Sequence, residues 1–193
     1  MDKNKIKNLE KLIIEAALND EYLDAEKYLD ELNTLKDPNE AIDTIGNFLL
    51  DKAIEEAEEQ KLNRAEELLK KAQEIDPLNP EVHMNLGRLY GMVFFKDLSI
   101  EELWEDRTDE ELLAELAIDA FNKSLDLDPE NVEAWNLLAI IYEQREMPQK
   151  AIEALKESLR IDPEQTSKQE ELEELLEEYI EYNISYDEEE EEE

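Results

Sequence analysis

The chain has 193 residues and a formal net charge of −36, with 41% hydrophobic and 39% charged residues. The hydrophobic fraction is sufficient for one domain with a core, or for a short array of repeats, and it excludes a chain that is disordered throughout. The negative charge disfavours direct contact with nucleic acid phosphates and with a membrane surface of anionic lipids, and it favours a basic protein or peptide as partner.

The composition also limits the kinds of catalytic and metal-binding sites that the chain can form. It has no Cys and a single His, His83, which excludes thiolate metal sites, Cys–His catalysis and multi-His metal centres. There is no Gly-rich phosphate loop. We therefore expect no enzymatic activity, no cofactor and no metal site, and we expect His83 to pack in the core. The lack of Cys suits a reducing compartment, so we expect a cytoplasmic location, with the nucleus as an open alternative.

Asp-Pro pairs divide the chain at four places: Asp37, Asp76, Asp128 and Asp162. The residue before Pro leaves the α region and Pro has no N–H to donate, so each pair predicts the end of a helical stretch. Pro129 and Pro163 are 34 residues apart, a period typical of helix-turn-helix repeats.

The first two predicted helix pairs have weaker patterns than the later ones. The pair at about 5–38 is degenerate, with apolar positions at Leu9, Leu12, Ile13, Ala16, Ala25, Leu29 and Leu32. The pair at about 40–79 has a well-patterned second helix around Ala65, Leu69 and Ala72. Its first helix is looser, because Lys52 and Glu56 stand where the later pairs have Leu and Tyr.

The third predicted pair, at 80–131, contains an insert at about 97–114. Tyr90 and Ala117 are separated by 27 residues, against 9 between Tyr142 and Ala151, so 18 residues are inserted. Capping boxes that begin at Ser99 and Thr108 predict a short helix at 100–106 and a longer one at 109–127. Trp104 in the short helix either packs the insert onto the array or faces a partner.

The fourth predicted pair, at 132–165, consists of helices at 132–145 and 148–160. Its first helix is apolar nearly all round. Ala139 and Ala151 allow the two helices to approach closely, and Trp135 and Tyr142 fill the space between them. Such a helix needs neighbours on two sides, because one pair cannot bury its apolar surface alone.

The pattern Trp-x2-Leu-Ala-x2-Tyr from Trp135, followed by Ala151, Leu155, Ser158 and Pro163, resembles the tetratricopeptide repeat (TPR). The same register recurs as His83, Leu86, Gly87 and Tyr90, and the resemblance covers about 5–165. It implies an all-α fold, a right-handed superhelix of antiparallel helix pairs. It also implies that the first helices line a concave groove for an extended peptide or a partner helix.

The resemblance predicts the residues of this partner-binding groove. They are Leu50, Ile54, Met84, Asn85, Arg88, Met92, Leu137 and Ile140. Acidic positions surround them, and Met residues suit a surface that adapts to several shapes. Alternatively, the C-terminal helix folds back and buries Leu137 and Ile140. One TPR subclass grips the C-terminal carboxylate of a chaperone, but among the matching positions here only Asn85 fits, and Glu133 would repel a carboxylate.

A predicted amphipathic helix at 166–183 follows the last pair. Its apolar positions are Leu172, Leu175, Leu176, Tyr179 and Ile180. It either caps the array or forms a dimerisation seam, and we expect capping and a monomer. Residues 184–193 are expected to form a disordered acidic tail.

Taken together, these features predict a non-catalytic protein–protein interaction module that acts as a scaffold, an adaptor or an escort chaperone. Its partner segment should be basic with an apolar centre. The alternative is a structural protein that self-assembles through the C-terminal helix, with the charge serving solubility.

Overall fold

The computed structural model describes residues 3–19, 27–28, 31–32, 34, 38–58, 61–95 and 109–191, and it is all-helical over these residues. The helices, in chain order, are α1 (Lys3–Leu18), α2 (Pro38–Glu58), α3 (Leu62–Ile75), α4 (Pro80–Tyr90), α5 (Met92–Phe95), α6 (Glu110–Leu127), α7 (Val132–Gln144), α8 (Pro148–Ile161) and α9 (Thr166–Glu191). The predicted all-α class is confirmed.

The Asp-Pro turns end three of the helices as predicted. Asp76, Asp128 and Asp162 are the C-cap residues of α3, α6 and α8. After two of these turns an Asn caps the next helix: the side chain of Asn79 accepts from the N–H of Glu81, and that of Asn131 accepts from the N–H of Ala134. Each cap satisfies a backbone donor that the first turn of a helix leaves unpaired.

The helices pack as successive pairs, α2 with α3, α4 with α6, and α7 with α8. Ala65, Ala117 and Ala151 lie at corresponding positions of the second helices and are fully buried. Their small side chains let the paired helices approach, as the sequence indicated for Ala151. Each pair also contacts the next one, so one hydrophobic core extends along the array.

Parts of two predicted elements lie outside the described residues. They are most of the second helix of the first pair, including Ala25 and Leu29, and residues 96–108 of the insert, including Trp104. Helix α6 begins close to the predicted position. Its N-cap is Asp109 rather than Thr108, because the Asp109 side chain accepts from the N–H of Leu112 at 3.1 Å.

The last helix is longer than the sequence predicted. Helical backbone continues through Glu191, so the predicted boundary at 183 and the predicted disorder of 184–191 differ from the structure. Glu is a good helix former, and each added residue extends the existing hydrogen-bond ladder without a new nucleation step.

The apolar stripe of α9 packs largely on the array. Leu175 is buried, and Leu172, Leu176 and Tyr179 are partly buried against the core, whereas Ile180 is 54% exposed. Within the described part of the chain, no helix has the length and apolar character needed to cross a membrane.

Candidate partner-binding groove

A cavity of about 310 Å³ lies where the first helices of three successive pairs approach one another. We call it the groove cavity. Its lining includes Ile54 and Ala57 of α2, Leu69 of α3, Asn85, Arg88 and Leu89 of α4, Met92 and Phe95 of α5, and Glu133 and Leu137 of α7. Seven of these ten residues are hydrophobic, so the cavity has an apolar floor with a polar rim.

Five of the eight predicted groove residues line this cavity. They are Ile54, Asn85, Arg88, Met92 and Leu137. Leu137 is half-buried, and it lines the cavity, to which no described residue of α9 contributes. The residues come from three different helix pairs, so the array brings together positions that are far apart in the sequence.

The other three predicted residues do not line the cavity. Met84 is 1% exposed and Leu50 is 7% exposed, so both belong to the core, and Ile140 is half-buried elsewhere. The expectation that Met84 is accessible to a partner is therefore wrong. Successive residues of a helix are rotated by about 100° around its axis. Met84 therefore points about 100° away from Asn85, to the side of α4 that packs in the core.

Leu69 and Phe95 line the cavity although the sequence interpretation did not include them. Leu69 belongs to α3, the second helix of its pair, and its side chain contributes to the floor of the cavity. Phe95 lies in the short helix α5, and its ring contacts that of Phe121 at a centroid distance of 6.4 Å. The apolar run after Gly91 was the available signal, because such a run needs a surface on which to pack.

An ion pair crosses the rim of the groove cavity. Arg88 donates from Nη2 to Glu133 Oε2 at 2.5 Å and from Nε to Glu133 Oε1 at 3.2 Å, a two-pronged contact between α4 and α7. It also donates from Nη1 to Asn85 Oδ1 at 3.3 Å. Arg88 is the one cation among the described residues of this lining. Because Arg88 is already paired with Glu133, its guanidinium is not available to bind the carboxylate of a partner.

Comparisons with known proteins agree with this architecture. The family model of the tetratricopeptide repeat matches residues 132–165. Residues 132–165 form a tetratricopeptide repeat. The model matches the uninterrupted repeat, whereas the related TPR motif at 80–131 is divided by the insert.

Solved TPR structures share the fold at low sequence identity. The chain is similar to the first TPR of Spaghetti (RPAP3) bound to the HSP90 peptide SRMEEVD, at a TM-score of 0.56 and 15% identity over 70% of this chain and 93% of that one. It is also similar to MamA from residue 41 of Desulfovibrio magneticus RS-1, at a TM-score of 0.54 and 17% identity over 97% and 92%. These likenesses concern the fold. A sequence comparison with curated proteins gives no match.

The TPR register explains the role of the single histidine. His83 is buried, with Nε2 at 2.9 Å from the carbonyl oxygen of Pro77. At the corresponding position of the next repeat, Trp135 donates from Nε1 to the carbonyl oxygen of Pro129 at 3.1 Å. A carbonyl only accepts, so Nε2 of His83 carries a proton, and each ring ties the start of its helix to the preceding turn. The predicted core role of His83 is confirmed.

Proposed function

We propose that this TPR protein is a non-catalytic protein–protein interaction module, which binds a partner peptide or helix in its groove as a scaffold, adaptor or escort. The groove cavity is the observation that carries this proposal. It has an apolar floor and it opens between helices of three successive pairs. Apolar side chains of a partner would gain most of their binding free energy by leaving water for such a floor.

The proposed partner segment is apolar at its centre and basic at its flanks. The floor takes the apolar centre, and Glu81 and Glu133 are exposed acidic residues on the first turns of α4 and α7. The protein's charge of −36 accelerates encounter with basic segments at low salt. The HSP90 peptide bound by the Spaghetti (RPAP3) TPR, SRMEEVD, ends in acidic residues. Arg88 is already paired with Glu133, so the described lining offers no unpaired cation for such an acidic end here.

A peptide selection followed by titration tests the proposal. Peptides selected on the native protein should be enriched in a central apolar residue with flanking Lys or Arg. The affinity for a selected peptide should fall by about tenfold or more in Leu137→Glu, because a charge would then stand on the apolar floor. Leu78→Glu is the matched control, since Leu78 is exposed and lies outside the cavity lining.

Two results would contradict the groove as the binding site. In the first, both variants retain the affinity of the wild type. In the second, Leu137→Glu loses helicity by circular dichroism to the same extent as it loses binding, which would identify Leu137 as a core residue.

We further propose that the protein is monomeric. Most of the apolar stripe of α9 packs on the array, and Ile180 is the exposed remainder. Sedimentation should show a single monomeric species. A dimer that dissociates in Ile180→Glu would favour the alternative of self-assembly through the C-terminal helix.

A further inference from the structure

A second cavity, of about 630 Å³, lies between the α7–α8 turn and α9. We call it the acidic cleft. Three carboxylate residues line it, Glu143, Glu146 and Glu178, and Met147, Pro148 and Leu175 provide an apolar floor. It shares no lining residue with the groove cavity. Glu143 is six residues after Leu137, a turn of about 120° around α7, so the two cavities open on different sides of that helix.

The negative charge of the acidic cleft is only partly offset within the described part of the chain, by Lys150 in its lining and by Lys168, whose charge acts on Glu143. The ion pairs of the nearby cations are made with other carboxylates: Arg145 pairs with Glu111, and Lys168 pairs with Glu171 at 2.5 Å. Lys150 lines the cleft but holds its ammonium 5.4 Å from the centre of the Tyr142 ring. None of Glu143, Glu146 and Glu178 forms an ion pair with a described residue. Burial, followed by the charge of Glu171, raises the pKa of Glu143 above its ordinary value.

The α7–α8 turn, which carries Glu146 and follows Glu143, has an unusual backbone. Glu146 has a φ of 54°, a left-handed conformation that is strained for a residue with a side chain and that Gly adopts readily. Hydrogen bonds fix the turn, since the N–H of Glu146 donates to Glu143 O at 2.9 Å and that of Met147 donates to Tyr142 O at 2.8 Å. The Glu146 carboxylate is thus held beside the cleft at a position whose backbone conformation favours Gly.

The opposite wall of the cleft is anchored to the array. Near the start of α9, Gln165 accepts from Asn136 Nδ2 at 2.7 Å and donates to Ser158 Oγ at 2.9 Å. Further along α9, Tyr179 accepts a hydrogen bond from Gln149 of α8. Because α9 is held at both of these points, the cleft between them is part of the folded structure.

We propose that the acidic cleft is a second docking site, which takes a lysine- or arginine-bearing segment of a basic protein partner. The aliphatic part of the basic side chain would lie on Met147, Pro148 and Leu175. Its charged end would lie among Glu143, Glu146 and Glu178. Long basic side chains suit such a site because they combine an apolar stem with a cationic head. This site is separate from the groove and does not depend on its occupancy.

The test uses a short fluorescein-labelled peptide in which lysines alternate with alanine, so that it has no large apolar side chain for the groove floor. Its affinity is measured by fluorescence anisotropy at about physiological salt, where long-range attraction by the net charge is screened. The variant Glu143→Gln/Glu146→Gln/Glu178→Gln should bind about tenfold or more weakly. The control variant Glu130→Gln/Glu153→Gln/Glu164→Gln removes the same charge from exposed positions outside the cleft. Its affinity should change less than about threefold. An equal loss in both variants would overturn the proposal.

Two further measurements separate site binding from misfolding and from diffuse attraction. Glu146→Gly removes one carboxylate where the backbone favours Gly, so it should keep its thermal stability and still bind more weakly. Unchanged binding would count against the site. Carbodiimide cross-linking joins lysine amines to nearby carboxylates, and the cross-links should map to Glu143, Glu146 and Glu178. Cross-links confined to 187–193 would instead show attraction by the terminal Glu run.

The experiment also distinguishes this site from the proposed groove and from self-association. Leu137→Glu should leave binding of the lysine peptide unchanged, so failure of the groove proposal would not affect this result. If the wild type self-associates and the triple cleft variant does not, a second copy of the chain occupies the cleft and the proposal of a different partner is wrong.

Discussion

The repeats at 80–131 and 132–165 fill the same internal contact with different pairs of side chains. In the earlier repeat, Gly87 faces Phe121, and a Cβ on Gly87 would lie 2.6 Å from the Phe121 ring. In the later repeat, Ala139 and Leu155 occupy the corresponding positions, and both are buried. The repeat with the smaller residue on its first helix, Gly87, thus has the larger residue on its second helix, Phe121. The packing requires a total volume at the contact rather than a particular residue.

A second difference concerns the position one residue after His83 and Trp135. Met84 is buried in the core, whereas Asn136 accepts from Ser158 Oγ at 2.7 Å and donates to Gln165 at 2.7 Å. Gln165 immediately precedes α9. The last repeat therefore uses a polar network where the inner repeat uses an apolar side chain, and that network attaches the capping helix.

The third difference lies at the ends of the first helices. Gly91 ends α4, and a Cβ there would lie 2.5 Å from the ring of Phe95. The corresponding residue of the later repeat is Glu143, which lines the acidic cleft. The inner repeat fills this corner with an aromatic ring, while the last repeat leaves a cavity with charged walls. Sites for partners can therefore arise at the end of the array, where no further repeat covers the surface.

Changing Met84 to Glu should produce the largest effect. An unpaired carboxylate in the core should lower the free energy of unfolding by about 3 kcal/mol or more. Asn136→Ala, at the corresponding position, should cost about 1–2 kcal/mol through lost hydrogen bonds. Urea denaturation followed by circular dichroism measures both. A Met84→Glu protein as stable as the wild type would mean that Met84 is accessible after all.

The Gly87–Phe121 contact should produce the next largest effect. Gly87→Ala should lower the free energy of unfolding by about 1–3 kcal/mol, because the added methyl group meets a buried ring. The double variant Gly87→Ala/Phe121→Leu reproduces the combination found in the later repeat and should recover most of that loss. The coupling is obtained from a double-mutant cycle by urea denaturation. Strictly additive effects would refute the compensation between the two side chains.

Glu143→Gln should produce the smallest effect, and one that depends on pH. Burial and the charge of Glu171 raise the pKa of Glu143 above its ordinary value of 4.5, so the ionised form is less favourable in the folded state than in the unfolded state. This penalty is absent below the ordinary pKa and complete at neutral pH. The variant should therefore melt higher than the wild type at neutral pH, on the order of 1 °C, and the two should converge near pH 4.

Glu130→Gln is the control for this comparison, because it removes one negative charge at an exposed position. Thermal melts across the pH range should show a smaller difference for this variant. A Glu143→Gln gain that persists at low pH would show that the effect does not come from ionisation.

The sequence by itself determined the order of the helices and most of their ends. Asp76, Asp128 and Asp162 end helices because each precedes a Pro, and this rule acts between neighbouring residues. The resemblance to the tetratricopeptide repeat also identified Ile54, Asn85, Arg88 and Leu137 as one surface, because equivalent positions of successive repeats line the same groove.

The tertiary structure decided which side of each first helix is covered by neighbouring helix pairs, and where cavities remain between the helices. Met84 and Leu50 proved buried because neighbouring pairs close over that side of the helices. Arg88 and Glu133 meet although they are 45 residues apart, and the acidic cleft joins a turn to the wall of α9. Such contacts depend on the rotation and spacing between successive helix pairs. That geometry results from packing side chains of many different volumes together, and the pattern within one helix does not contain it.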